Sequence, residues 1–282
     1  MENLLSSPLL QALILGVVQG LTEFLPVSSS GHLALAQALI PGFNQPGVFL
    51  DVMLHVGTLA AVVVYFRRDL VALVRSLPQL VRGGGDPVER RLWLGVLIAS
   101  VPTGIMGVLL QDRVESMIGS VPFIGAALMV TGLVLLAGEA LSKKVITRLG
   151  PPSLGRALLI GIAQGIAVIP GISRSGSTIS AARALGITGP EAARFSFLLS
   201  LPAVGGAAFL TAIKNHAAIA ASTSAQVAGY LAGPLVAAVV GFVAIGLVMR
   251  LLKSGRFVWF AAYCLALGSL SLGLGLYFGI SG

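Results

Sequence analysis

Long apolar runs recur along the whole chain and restrict its fold more than any other feature does. Segments such as Val227–Met249 and Phe257–Gly279 have almost no polar side chains on any face. About 20 apolar residues in a helix span the hydrocarbon core of a bilayer, whereas each helix of a soluble bundle needs a polar face. The residue alternation of a membrane β-barrel is absent. The runs therefore predict an all-α integral membrane protein.

Composition and charge agree with this prediction. The 282 residues are 56% hydrophobic and 10% charged, with a mean hydropathy of +0.97, which is unusual for a soluble domain. The net charge of +8 does not indicate nucleic-acid binding, because no folded basic surface with interleaved aromatic residues is present. The basic residues instead gather in three connections, which the positive-inside rule assigns to the cytoplasm. They are Arg67, Arg68, Arg75, Arg82, Arg90 and Arg91; Lys143, Lys144, Arg148 and Arg156; and Arg250, Lys253 and Arg256.

The remaining segments are assigned by length. Six have the length of a full span: Val48–Phe66, Leu92–Leu110, Phe123–Leu141, Phe195–Ile213, Val227–Met249 and Phe257–Gly279. Two others, Pro8–Ile40 and Leu154–Leu185, are too long for one span, too short for two, and interrupted in the middle. We expect two re-entrant helix pairs that enter from opposite sides. Since lipid cannot satisfy broken backbone, their tips should meet near the centre of the protein.

The two interrupted segments share one pattern at a constant offset of 145 residues. Each runs from a Gly-x-x-Gln-Gly motif to a Ser-x-Ser-Gly motif, and 12 residues separate the Gln from the final Gly in both. Two similar halves that enter from opposite sides predict an inverted-topology repeat. We therefore expect one membrane domain, residues 1–282, with repeats 1–142 and 150–282. The alternative is a chance match among the Gly, Ser and Pro residues of membrane helices.

The first interruption contains a carboxylate. Gln19 and Glu23 are four residues apart and share a helical face. Glu23 lies deep in an apolar segment, where ionisation is costly without a partner, so it is a functional candidate. The alternative is a structural hydrogen bond. Asp51 and His55 have the same spacing and either line the site or pair with each other.

Three serine hydroxyls follow Glu23 within the same interruption. Ser28, Ser29 and Ser30 supply hydroxyls and free N–H groups at the start of a helix, an arrangement suited to a phosphate oxyanion. His32 comes round to the side of Ser29, within reach of its hydroxyl or of a leaving oxygen. Helix capping is the alternative for the serines. Spacing alone does not choose a nucleophile among the three.

The second interruption contains a guanidinium group. Arg174 is the only charged residue between Arg156 and Arg183, and hydroxyls and glycines surround it. A planar, permanently charged guanidinium suits a phosphoryl group. The alternative, compatible with the first, is that Arg174 neutralises Glu23.

Together these motifs closely resemble the signature motifs of the bacterial undecaprenyl-diphosphate phosphatases, also called bacitracin-resistance proteins. The motifs are Gln19-x-x-x-Glu23, Pro26-Val27-Ser28-Ser29-Ser30-Gly31-His32 and Pro170-Gly171-Ile172-Ser173-Arg174-Ser175-Gly176-Ser177-Thr178. The resemblance covers essentially the whole chain. It implies a hydrolase that removes the terminal phosphate of undecaprenyl diphosphate, returns the monophosphate carrier to peptidoglycan synthesis and confers bacitracin resistance.

The resemblance also implies roles for individual residues. Ser29 would be the nucleophile, Glu23 the acid/base or metal-assisting carboxylate, His32 a proton-transfer group and Arg174 the diphosphate clamp. The implied substrate-binding residues are Gln19, Ser28, Ser30, Ser173, Ser175, Ser177 and Thr178. A divalent cation, Mg²⁺ or Ca²⁺, is implied at Glu23. Family members carry Glu or Gln at the position of Gln19, and the neutral amide here puts a two-carboxylate metal site in doubt.

Location and partners follow from the same resemblance and from the topology. We expect a multi-pass protein of the bacterial plasma (inner) membrane with an outward, periplasmic active site, because the first broken segment opens outside. The expected partners are undecaprenyl diphosphate and membrane lipids, with the prenyl tail in lipid-facing apolar grooves; a homodimer is left open. The rival interpretation is a secondary transporter or lipid flippase, since inverted repeats of broken helices suit alternating access.

Overall fold

The computed structural model describes residues 7–40, 43, 49–82, 84, 86–145, 150–214, 222–253 and 257–279. This part of the chain forms eleven α-helices. They are α1 (Pro8–Thr22), α2 (Ser29–Leu39), α3 (Phe49–Tyr65), α4 (Arg67–Val81), α5 (Pro87–Ile118), α6 (Val121–Lys144), α7 (Leu154–Ile166), α8 (Arg174–Ala184), α9 (Gly189–Lys214), α10 (Ser224–Lys253) and α11 (Val258–Phe278).

The helices confirm the predicted class, an all-α multi-pass membrane protein. By length and apolar composition, α5, α6, α9, α10 and α11 can each cross a bilayer. Helix α3 gives a sixth span when it is counted together with α4. A bend of 77° separates the two helices. These six correspond to the six predicted spans. Val48, predicted to start the first of them, lies outside the described residues.

Both predicted re-entrant segments are broken helix pairs. The first consists of α1 and α2, and the second of α7 and α8, with the breaks at residues 23–28 and 167–173. Prolines in each break remove an N–H donor and disfavour helical backbone just before them. In the second break Gly171 has φ +89°, and a Cβ there would lie 2.6 Å from the Cβ of Ala127. Only glycine fits this turn without strain.

Helix packing follows the predicted repeat. The offset of 145 residues pairs α1 with α7, α2 with α8 and α3 with α9, and order along the chain pairs α5 with α10 and α6 with α11. Helix α1 packs on α10, and α7 packs correspondingly on α5. Likewise α3 packs on α10 and α9 on α5, while α6 packs directly on its own counterpart α11. The packing supports the repeat boundaries 1–142 and 150–282, which stay a prediction.

One basic connection differs from expectation. The segment after α3, interpreted as a loop because of its arginines, contains the helix α4. Its burial has a helical period, since Leu73 and Ser76 face the protein. Asp69 in its first turn pairs with Arg194 near the start of α9, at 2.5 Å. Sequence reasoning compared lengths with the bilayer only, so it missed a helix that does not span.

The basic helix ends share one face of the molecule. The Cβ position of Gly189 at the start of α9 lies 3.2 Å from the carbonyl oxygen of Leu252 at the end of α10. At the end of α8, Arg183 donates to Ser142 at the end of α6, at 3.3 Å. This face therefore collects the ends of α6, α8 and α10 with the start of α9. Arg148 and Arg256, which the prediction also placed there, lie outside the described residues.

Candidate active site

The tips of the two broken segments touch. The backbone N–H of Gly171 donates to the Ser30 hydroxyl at 3.3 Å. The Ser175 hydroxyl donates to the carbonyl oxygen of Leu25 at 3.1 Å. Each tip therefore supplies a hydroxyl that satisfies a backbone group of the other, as buried backbone requires. The expected meeting of the tips is confirmed.

A single carboxylate lies at the centre of this contact. Glu23 follows α1 directly and is 7% exposed. Its Oε1 forms an ion pair with Arg174 from the other tip. Its Oε2 accepts hydrogen bonds from Ser29 at 2.5 Å and from Gln19 at 3.1 Å, and His55 Nε2 lies 3.5 Å away. Burial of a lone carboxylate is costly, and these four groups from α1, α2, α3 and α8 offset that cost.

Two helix N-termini converge beside this carboxylate. Ser29 is the first residue of α2, and Arg174 is the first residue of α8. They occupy equivalent positions of the repeat, 145 residues apart. The first turn of a helix has free N–H groups and a partial positive charge, so such an end favours an anion. The arrangement therefore brings a nucleophile-type hydroxyl, a guanidinium and two positive helix ends to one place.

The backbone before Ser29 is strained. Ser28 has φ +71° and is the only non-glycine residue with positive φ in the described part of the chain. Its side chain accepts from the N–H of Gly31 at 3.3 Å, and its carbonyl oxygen accepts from the N–H of His32 at 3.1 Å. Such strain costs about 1–3 kcal/mol and persists where the surroundings fix it, often at functional sites. Here it fixes the turn that presents Ser29 to Glu23.

His32 has partners other than the Ser29 hydroxyl. Its Nδ1 lies 2.7 Å from the carbonyl oxygen of Ser28 and must therefore donate. In the neutral ring Nε2 then accepts, and the hydroxyl of Tyr263 lies 2.8 Å from it. Within the described residues, the hydroxyl of Ser29 bonds to Glu23 and not to His32. A proton-transfer role for His32 stays a prediction, and Tyr263 was not anticipated.

The hydroxyls of the second motif largely support its backbone. Ser173 caps α8 by accepting from the N–H of Gly176 at 3.0 Å. Thr178 donates to the carbonyl group four residues before it at 2.8 Å and lies 2.6 Å from the hydroxyl of Ser196. Ser177 is buried in the same turn of the helix. The capping alternative thus describes part of what these residues do, and their binding of substrate stays a prediction.

Helix α3 supplies two groups on one face. His55 joins the site through Glu23, while its Nδ1 lies 2.7 Å from the backbone oxygen of Asp51. The Asp51 carboxylate instead accepts from Gln37 at 2.5 Å. Thr58, which sequence reasoning did not select, accepts from Gln19 at 3.3 Å. Its spacing of three residues from His55 on an apolar helix was the signal that could have identified it.

A narrow cleft, without room for a water molecule, lies beside the carboxylate between α3 and α9. Its lining combines polar and apolar side chains. The polar ones are Glu23, His55, Thr58, Arg174 and Ser200, and the apolar ones are Phe24, Leu59, Val62 and Val204.

The donor set fits a divalent cation only with help from a ligand. No group of three or more His, Cys, Asp or Glu residues gathers within the described ranges. Glu23 supplies one carboxylate, and the buried Gln19 Oε1 beside it has no hydrogen-bond partner. Mg²⁺ commonly binds through one or two carboxylates together with substrate phosphates. The residues present fit a cation of that kind.

The fold and the site define a class: a multi-pass helical membrane protein with a buried carboxylate that pairs with a hydroxyl and a guanidinium. Residues 12–270 match the family model described as "Bacitracin resistance protein BacA", and the chain belongs to that family.

Curated relatives match over nearly their whole length. A protein named undecaprenyl-diphosphatase in Syntrophotalea carbinolica is 44% identical, over 96% of this chain and 98% of the relative. Proteins of the same name in Desulfosudis oleivorans and Methanosphaera stadtmanae are 43% and 41% identical, over 95% and 94% of this chain and 98% and 97% of the relatives. The resemblance inferred from the motifs is therefore confirmed.

Proposed function

We propose that the protein is an undecaprenyl-diphosphate phosphatase, which hydrolyses undecaprenyl diphosphate to undecaprenyl phosphate and inorganic phosphate. The name of its relatives supports the substrate. The observation that carries the chemistry is the 2.5 Å hydrogen bond from Ser29 to Glu23, beside Arg174. A hydroxyl held by a buried carboxylate is an activated nucleophile, which favours hydrolysis over transport alone.

Glu23 would accept the Ser29 proton as Oγ attacks the terminal phosphorus. A new bond joins Oγ to phosphorus, the bond from phosphorus to the bridging oxygen breaks, and undecaprenyl phosphate leaves. Water then attacks the phosphoserine, Oγ recovers its proton, and inorganic phosphate is released. Phosphoryl transfer of this kind depends mainly on positioning and on stabilisation of charge.

Positive charge in this site comes from Arg174 and from the N-termini of α2 and α8. When a diphosphate enters, the guanidinium can donate to it while remaining beside Glu23, because Arg174 has several N–H donors in one plane. Free backbone N–H groups of the two first turns add donors that need no rearrangement. The site would stabilise a phosphoryl group that carries more charge in the transition state.

A divalent cation is part of the proposal. Glu23 and the Oε1 of Gln19 would hold Mg²⁺ or Ca²⁺ together with phosphate oxygens of the substrate. When bound, the ion neutralises charge on those oxygens. Ser29, Glu23 and Arg174 keep the roles given above.

The apolar residues that line the cleft between α3 and α9 would face the first isoprene units of the tail. The partly exposed ones, Leu59 and Val204, lie on the two helices that flank the cleft. A tail that leaves here passes from the charged centre toward lipid.

The cellular setting follows from the substrate and the charge distribution. The face with the basic helix ends would be cytoplasmic under the positive-inside rule. The enzyme would then lie in the bacterial plasma membrane with its site accessible from outside, where recycling of the carrier lipid supports peptidoglycan synthesis and bacitracin resistance.

The direct test is phosphate release from undecaprenyl diphosphate by purified protein. Ser29→Ala and Arg174→Ala are expected to lower kcat by about 10³-fold, because they remove the nucleophile and the main transition-state cation. Arg183→Ala, on the same helix, and Ser271→Ala, buried in α11, are the matched controls and should retain activity when folded. Unchanged release in both site variants would overturn the proposal.

A further inference from the structure

Helix α4 runs across the end of a span. A bend of 77° separates it from α3. A helix nearly perpendicular to a membrane span lies close to the plane of the membrane. Trp93 near the start of α5 holds it there, since its indole N–H donates to the carbonyl oxygen of Leu73 at 2.7 Å. Tryptophan is enriched at the bilayer interface.

The surface of α4 is divided into three faces. One face, with Leu73 and Ser76, is buried against the protein. A second face is apolar yet exposed, with Val71 46%, Val74 60% and Leu77 36% accessible. At 100° per residue, the exposed apolar face lies roughly a third of a turn from the buried one. An apolar face of this kind on an amphipathic helix suits the acyl boundary of a bilayer.

The third face is basic. Arg68, Arg75 and Gln79 are exposed at spacings of seven and four residues, on one side of the helix. Arg82 follows the helix, and all three arginines are exposed. In the described part of the chain none of them forms an ion pair with a carboxylate, whereas Asp69 is already paired with Arg194. The basic face therefore carries uncompensated positive charge next to an apolar face.

We propose that α4 is an interfacial helix that binds anionic lipid head groups in the leaflet at its end of the molecule. Val71, Val74 and Leu77 insert at the acyl boundary, and Arg68, Arg75 and Arg82 contact lipid phosphates. Charge complementarity selects this occupant, because uncompensated basic residues at a membrane surface attract anionic lipids. The site is separate from Glu23 and does not depend on the proposed hydrolysis.

The depth of α4 in the bilayer is tested with fluorophores attached at two positions of this helix. In a Cys264→Ala background, Val74→Cys and Gln79→Cys variants are labelled and reconstituted in lipid discs that contain lipids with a quencher on the acyl chain. The label at position 74 should be quenched several-fold more strongly than the label at 79. Equal quenching, or a label at 74 that lipid does not reach, would overturn the interfacial placement and would point instead to a protein partner.

Head-group selection is tested with the same label at position 74. Quencher-bearing phosphatidylglycerol should quench about fivefold more than quencher-bearing phosphatidylcholine at equal content, the enrichment expected for one basic residue at an anionic surface. Arg68→Gln, Arg75→Gln and Arg82→Gln combined should abolish the difference. The control, which removes as many charges elsewhere through Lys144→Gln, Arg156→Gln and Arg250→Gln, should keep it. Equal quenching by both lipids in the parent, or a ratio unchanged in the α4 variant, contradicts the proposal.

Discussion

At the scale of residues, Glu23 connects the two halves of the molecule. Its carboxylate bonds to Ser29 of its own tip and forms an ion pair with Arg174 of the other. Because Glu23 is buried and Arg174 is mostly buried, removal of one charge leaves the other largely without compensation, at a cost of up to about 3–5 kcal/mol. Under the proposed mechanism the same carboxylate would affect both stability and catalysis, so a test must separate the two effects.

A second buried ion pair provides the comparison. Glu139 of α6 and Arg183 of α8 lie 2.7 Å apart, outside the site. Glu23→Gln and Glu139→Gln should both lower the free energy of unfolding, because each removes the carboxylate partner of a mostly buried arginine. Only Glu23→Gln should also reduce kcat, by about 10²- to 10⁴-fold, since it removes a general base. Thermal unfolding and phosphate release on both variants check this, and equal kcat values would show that Glu23 has no catalytic role.

The contact between the tips is tested at Ser30. Ser30→Ala leaves the buried N–H of Gly171 without its acceptor, so stability should fall by about 1–3 kcal/mol. Ser116→Ala removes a hydroxyl that bonds within its own helix at an exposed position and should change stability by less than about 0.5 kcal/mol. Thermal melts of the two purified variants give the comparison. Equal melting temperatures of the two variants would mean that the hydrogen bond from Gly171 to Ser30 does not stabilise the contact between the tips.

Sequence reasoning selected Glu23 and Arg174, which the structure pairs, but it did not predict the partners of Ser29 and His32. The cost of a carboxylate in an apolar segment selected Glu23, and a lone guanidinium among hydroxyls selected Arg174. The bond from Ser29 to Glu23 could not be predicted, because the direction of a side chain after a break depends on the backbone, here on the positive φ of Ser28. His32 was assigned to Ser29 by helical spacing, but its ring is held by Ser28 and Tyr263.

At the scale of elements, close helix crossings position the broken pairs. A Cβ on Gly16 would lie 2.5 Å from the carbonyl oxygen of Gly233, and one on Gly161 would lie 2.4 Å from that of Ala99. These equivalent glycines let α1 approach α10 and α7 approach α5. For Gly104 of α5, apart from its chain neighbours and the backbone of its own helix, no atom lies within 4 Å of such a Cβ.

Alanine substitutions at these positions test the crossings. Gly16→Ala and Gly161→Ala should each destabilise by about 1–3 kcal/mol, because the added methyl forces the helices apart. Gly104→Ala should be neutral or stabilising by up to about 1 kcal/mol, since it adds helix propensity in open space. Melting temperatures of the three variants, measured in the same detergent, provide the comparison. If Gly104→Ala lowered stability as much as Gly16→Ala and Gly161→Ala do, the assigned contacts would be contradicted.

The breaks themselves could be predicted from sequence, because proline and glycine interrupt apolar periodicity within a known length. The helix α4 could not be predicted from span length, because its apolar face covers only part of its surface. A search for helical periodicity within the basic connection would have detected it.

At the scale of the whole molecule, the basic helix ends gather on one face, and the connection between α5 and α6 lies on the other. Under the positive-inside rule we expect the first face to be cytoplasmic. In intact cells, an impermeant thiol reagent should label Ser116→Cys at the end of α5, while Lys144→Cys at the end of α6 should react only after permeabilisation. Both are made in the Cys264→Ala background. The opposite pattern would reverse the assigned orientation.

The repeat is the part of the architecture that was predicted most completely from the sequence. A constant offset in a few Gly, Gln and Ser positions predicted two equivalent breaks, and the structure adds that α2 and α8 start at equivalent positions and have 11 residues each. The repeat pattern did not predict which helices pack together, because packing depends on contacts between residues far apart in the chain.

The central claim is that the two tips form one site in which Ser29 attacks phosphorus. The most direct measurement is an experimental structure with a non-hydrolysable prenyl diphosphate analogue bound. We expect the terminal phosphorus about 3–3.5 Å from Ser29 Oγ, the distance of a near-attack geometry, with Arg174 donating to the same phosphoryl group. A diphosphate bound elsewhere, with Ser29 and Arg174 both beyond hydrogen-bond reach of it, would contradict the account.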